Sequence, residues 1–400
     1  MDRFLSTFLY KEFKIGKATF TTMDALTVLI VSLLAIVARL SLFPIKSLDF
    51  DSFLSDWLGY IHKYGVWGSL RLSISDYTSP YMYLMCIASR FENDFYALKA
   101  VSVIFDFIGA IAIGLLVSQL TGDSRKALLG YFITILCPTV IINSAWWCQC
   151  DMIYSSFIIF ALVSLFKDKG ALCCFFLGLA FSFKLQTVFI FPLILILLVK
   201  GRTIKIWHLF LIPLAYLVMH IPALIAGRPI VQVMKIYLNQ SQSYGEWTLN
   251  FQKLYMLLDG TFNHRYTTEV SNLGLCFSLG TIGTAVWWLC QKKFRLNGEI
   301  MITMALFTIC LALFTLPHMH ERYGYLVDLL SIVYINQRPK VAPAGISLIL
   351  LSFLSYMPFL LQVDIFPMAV LSVVYLATLI YLGYDLHSQI IMAPENWTRD

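Results

Sequence analysis

Six short polar segments interrupt an otherwise apolar chain of 400 residues, and their side chains are of the kinds that move protons and grip anions. The first holds Asp49, Asp51 and Asp56 among aromatics. A carboxylate in such a place can serve as a general base toward a hydroxyl. Asp49 and Asp51, two apart, could also share a hard cation, but the spacing is a weak signal and the expectation is a site with no metal and no cofactor. The other segments hold Tyr77 to Tyr81, then Trp147, Gln149 and Asp151, then Lys184 and Gln186, then Glu246 and Asn250, and finally His318, His320, Glu321, Arg322 and Tyr323. Arginine pairs bidentately with phosphate, and a histidine or lysine beside it adds a further donor. His320, Arg322 and Lys184 are therefore candidate phosphate-binding residues. Tyr81, Trp147, Gln149, Asp151, Gln186, Glu246, Asn250 and Tyr323 are candidate substrate contacts.

The elements that must position these groups are membrane helices. Hydrophobic residues make up 59% of the chain and charged residues 13%, against about 25% charge in soluble domains. Apolar runs near 25–45, 97–120, 127–145, 152–166, 171–183, 187–199, 206–226, 270–291, 298–316, 323–336, 342–361 and 366–385 predict an all-α integral membrane protein with about twelve transmembrane helices. The run from 171 to 199 is split at Phe183-Lys184-Leu185-Gln186, because a lysine at mid-membrane costs several kcal/mol on insertion scales. Arg39 and Asp106 are two more intramembrane charges, placed to pair across helices. The nine cysteines are scattered through apolar runs and suggest neither a disulfide framework nor a metal knuckle.

The formal charge of +6 reflects topology, not a nucleic-acid partner. Residues 1–24 form a basic, amphipathic segment expected to be cytoplasmic. With that end inside, Arg125 and Lys126, Lys167 and Lys169, Lys200, Arg202 and Lys205, Lys292, Lys293 and Arg295, and Arg338 and Lys340 all fall on inner connections. Two long loops, 46–96 and 227–269, then lie outside, and all six polar segments share that face. Phe53, Trp57, Tyr60, Ile61 and Tyr64 follow the acidic cluster at helical spacing, as in an interfacial helix. The whole chain, 1–400, reads as one polytopic unit in a bacterial plasma membrane.

A carboxylate base facing phosphate-binding groups suits displacement at a sugar carbon that bears a phosphate leaving group. Nucleotide sugars are cytosolic, so an outer site requires a polyprenyl-phosphate sugar donor and a glycan or glycolipid acceptor. The same residues resemble the GT-C superfamily of lipid-donor glycosyltransferases, most closely bacterial mannosyltransferase-like proteins related to the second mannosyltransferase of GPI-anchor assembly. The resemblance runs through Asp49-Phe50 with Phe53-Leu54 and Trp57, Pro80-Tyr81 with Tyr83-Leu84, Trp147-Cys148-Gln149 with Asp151 and Tyr154, Phe183-Lys184-Leu185-Gln186, and His320-Glu321-Arg322-Tyr323. It implies a hexosyltransferase with Asp49 as base, Asp51 and Asp56 as alternatives, and the His-Glu-Arg-Tyr stretch on the lipid phosphate. Similar sequences carry glycine where Cys148 stands and proline where Asp56 stands. The competing reading is a transporter or flippase of lipid-linked sugars, for which no internal repeat is visible.

Overall fold

A computed structural model describes residues 7–15, 18–201, 203–241, 248–258 and 268–393. Each apolar run is helical, with boundaries set by local chemistry. Thr21 and Asp24 close a capping box on Thr22–Leu40, Asn93 caps Asp94–Thr121, and Asn297 caps Gly298–Thr315, each satisfying amide donors that the first turn leaves open. Pro138 forces Cys137 into extended backbone, so Ser124–Leu136 and Pro138–Trp146 meet at a 48° bend. Lys184 is extended as well (φ −147°, ψ 140°) and ends Gly170–Phe183 where the sequence predicts a break.

Among the described residues, seven helices are long and apolar enough to cross a membrane, or eight if the bent pair counts as one. This makes the chain an all-helical, multi-pass membrane protein. The other helices at positions expected to span are shorter: Asp151–Leu165, Gly170–Phe183 and Leu185–Val199, all apolar, and Tyr325–Gln337, with 13 residues. At 1.5 Å per residue such helices reach only about 20–23 Å, short of a hydrocarbon core of about 30 Å. They lie within the bundle: Asp151–Leu165 packs on both Gly170–Phe183 and Asp94–Thr121. Small β elements add to the helices. Glu12–Ile15 pairs antiparallel with Ala18–Thr21, and Thr248–Leu249 runs parallel to Met319–His320.

The polar and basic connections separate to opposite ends. At one end Lys200 Nζ donates to the Lys292 carbonyl at 2.8 Å and Gln119 reaches the Phe166 carbonyl at 3.3 Å. At the other, Ser47 donates to the Trp147 carbonyl at 2.8 Å and Thr78 to the Ser182 carbonyl at 2.6 Å. Between the ends Arg39 and Asp106 pair at 2.8 Å, both wholly buried, so each supplies the countercharge that the apolar surroundings withhold from the other.

Candidate active site

Asp49 stands at the head of a π-helical turn, Phe50–Leu54, that continues into Ser55–Arg71. Ser47 anchors this turn by accepting from the Phe50 amide at 3.2 Å. One oxygen, Asp49 Oδ2, accepts from Trp147 Nε1 at 2.8 Å and from Gln149 Nε2 at 2.8 Å, and Arg322 lies 3.4 Å from the same atom. The intervening Cys148 has a left-handed backbone, φ 63°, and its thiol is buried. This twist turns the side chains on either side of it toward a single carboxylate. Trp147 is held by a stacked Phe359 ring at 4.7 Å and the edge of Tyr356 at 5.2 Å, and the Arg322 guanidinium sits over its ring at 5.1 Å.

Gln149 links the acidic and basic halves of the site. Its Oε1 accepts from Arg322 at 2.6 Å and from the Tyr77 hydroxyl at 3.1 Å, which fixes its amide so that the NH2 group faces Asp49. Burial pushes the Tyr77 phenol well above its ordinary range, keeping it a donor. Beyond Gln149, Asp151 accepts from Lys184 at 2.6 Å and from Asn143 at 2.9 Å, with Arg322 3.7 Å away. Asp151 thus compensates the lysine that breaks the apolar run. Arg322 Nε and Gln186 Oε1 are buried and, among the described residues, without a hydrogen-bond partner.

Next to Arg322 the ordinary charge states shift. Burial, reinforced by Arg322 and then by Lys253 and Lys184, pushes His320 down to about 3. The imidazole is therefore neutral near pH 7, where it can donate a hydrogen bond but brings no positive charge. Glu321 is pushed up to about 7 by burial, against the pull of Arg322.

These groups surround a cleft of about 610 Å³ including its open mouth. Of the residues expected from sequence, Asp49, Gln149, Lys184, Gln186, His320, Arg322 and Tyr323 line it. Tyr81, Trp147 and Asp151 do not: all three are buried and support the wall from behind, Tyr81 packing 4.7 Å from Tyr77. Asn250 is also off the lining, although its neighbour Leu249 pairs with His320. Glu246 lies outside the described residues.

The alternative bases, Asp51 and Asp56, do not line this cleft. Asp51 is exposed and lines a separate pocket beside Lys46 and Trp146. Asp56, seven residues beyond Asp49, would share its face in an unbroken α-helix. The wider π-helical turn delays the helical phase, so that Trp57 reaches the cleft and Asp56 turns to solvent. Two residues escaped sequence reasoning. Asn143 sits inside an apolar run, and Asp76 lines the cleft immediately before the Tyr77 segment. Asp76 carried a signal, as another carboxylate between the first two long apolar runs.

No protein-family model matches the chain, and no curated protein matches it either.

Proposed function

We propose that the chain is a membrane glycosyltransferase that moves a hexose, such as mannose, from a polyprenyl-phosphate sugar to an extracytoplasmic glycan or glycolipid by a single inverting displacement. The observation that carries this reading is the half-engaged carboxylate of Asp49. Its Oδ2 is held by Trp147, Gln149 and Arg322, while among the described residues no hydrogen bond engages Oδ1, in a cleft shared with Lys184, His320 and Arg322. In this mechanism Oδ1 accepts the proton of the acceptor hydroxyl as its oxygen bonds to the sugar's anomeric carbon. The bond from that carbon to the phosphate oxygen breaks, and its electron pair leaves with the lipid phosphate. Arg322 and Lys184 stabilise the charge that grows there, and neutral His320 donates a hydrogen bond.

The reading assigns the chain to the GT-C superfamily on the motif resemblance. It counts the short buried helices as spans, for about twelve crossings with residues 46–96 as a large first outer loop, and puts the cleft on the outer face of a bacterial plasma membrane. The partners are the lipid donor, the acceptor and membrane lipid, with no nucleic acid. Reconstitution in proteoliposomes with synthetic polyprenyl-phosphate mannose and glucose and a panel of glycan acceptors tests it. Transfer by the wild type, lost in Asp49→Asn, is the expected result. Movement of the intact lipid-linked sugar between leaflets without transfer would make the protein a transporter instead.

A further inference from the structure

The acids in and behind the cleft differ in how they are held. Asp49 and Asp151 each accept from two or more donors. Asp76 lines the same cleft, is exposed, and among the described residues has no hydrogen bond or ion pair. Lys184 and Arg322 already face carboxylates, and among the described residues no cation pairs with Asp76. A free carboxylate at the rim repels a phosphate, and the lipid phosphate must therefore bind away from it, on the side of Arg322, Lys184 and His320.

What a free carboxylate does recognise is a pair of hydroxyls, donating one to each of its oxygens. An aromatic row adjoins it. The Phe53 and Trp57 rings are 6.3 Å apart and the Trp57 and Tyr77 rings 5.6 Å apart, edge to face, with Phe53 44% exposed. Phe53, the exposed member, offers an apolar surface to the C–H face of a sugar ring, with the buried Trp57 packed behind it. Tyr77 joins the row to the centre of the site through Gln149, which holds Asp49.

We propose that Asp76, together with the Phe53, Trp57 and Tyr77 row, forms the acceptor-sugar subsite and selects neutral glycans over acidic ones. This rests on the transferase reading for its place in the reaction, but the selectivity follows from the cleft itself. A uronic-acid or phosphorylated acceptor would bring a second negative charge against Asp76, whereas a neutral sugar satisfies it.

The test uses the full chain in nanodiscs and a methyl hexobioside with its uronic-acid counterpart as probes. Equilibrium binding is measured without donor. The wild type should hold the neutral probe at least about tenfold more tightly than the uronate, since a hydrogen-bonded charge commonly accounts for a factor of that size. Asp76→Asn should lose about tenfold toward the neutral probe, Asp76→Glu should retain the preference, and Asp76→Lys should reverse it. In turnover assays Asp76→Asn should raise the acceptor KM by the same factor, with kcat at saturating acceptor and the donor KM within about twofold. Equal binding of the neutral probe by wild type and Asp76→Asn, or a change in donor KM instead, would overturn the proposal. Because binding is read without turnover, a chain that transfers no sugar would defeat the transferase reading while the Asp76 result still stands or falls alone.

Discussion

Two networks built from the same residue types occupy opposite ends of the helix Tyr325–Gln337. Before its first turn, Arg322 meets Asp49, Gln149 and, through Gln149, Tyr77. After its last turn, Arg338 meets Asp385, which also accepts from Tyr334 and Gln389, each at 2.8 Å. The difference lies in the carboxylate. Asp385 has both oxygens engaged, Oδ1 by Arg338 and Oδ2 by the tyrosine and glutamine, so that the end of Tyr325–Gln337 is tied to Asp385's own helix, Met368–Met392. Asp49 has one oxygen held and one open toward a cleft. A saturated carboxylate clamps helix ends together; a half-saturated one is oriented yet still able to take a proton.

That contrast breaks if the two acids respond alike to the same change. Asp49→Asn or Arg322→Ala should lower transfer by about 10²–10⁴-fold, the span of a general base's contribution, with elution in detergent unchanged. Asp385→Asn should leave transfer within a few-fold; its loss in a well-folded Asp385→Asn protein would erase the distinction. Stability should show the reverse ranking. Removing Asp385 leaves Arg338 without its main partner and should cost about 2–3 kcal/mol, read as a lower unfolding temperature, while Asp49→Asn should cost less. Gln149→Leu sharpens the comparison, since it removes one donor from Asp49 and the shared acceptor from Arg322 and Tyr77. The expected fall in transfer is about 10–30-fold, with donor affinity weakened in parallel.

Titration gives a smaller effect. Glu321 holds its proton up to about 7 in the folded chain, against an ordinary 4.5, so the folded state binds the extra proton between those values. Its contribution to stability is full below pH 4.5 and is lost as pH rises through 7; Glu321→Gln should flatten that part of a plot of unfolding temperature against pH. His320 acts oppositely. Lowered from 6.5 to about 3, it contributes stability above pH 6.5 that is lost as pH falls toward 3. The smallest change is expected of Cys148→Gly. Relief of a left-handed non-glycine backbone, about 1–2 kcal/mol, is offset by loss of a buried thiol, leaving a net shift of about 1 kcal/mol or less and transfer nearly unchanged.

Hydropathy located the long apolar runs, because the transfer free energy of a side chain into lipid depends on its own chemistry and sums along a window; it did not find the helices Ser79–Ala88 and Ile230–Ser241, which lie in stretches expected as outer loops. The same locality made three charges legible. Lys184 had to break its run and find a countercharge, which proved to be Asp151, and Arg39 and Asp106 had to find each other. How far each run reaches was less legible, since four helices too short to span unaided are sheltered by neighbours that the sequence does not name.

What only the tertiary structure decided was the identity of partners. The hydrogen bonds that Trp147, Gln149 and Arg322 make around Asp49 join residues 98 to 173 positions apart, and a hydrogen bond is made or lost over a few tenths of an ångström, which no local pattern fixes. Asp49 was separated from Asp56 by the phase of a single π-helical turn. His320 lost its charge because folding buried it beside cations. Residue type along the chain therefore determined which groups could do chemistry and which end of the bundle would hold them. Packing decided which carboxylate kept an oxygen open, because orientation is a property of contacts and not of composition.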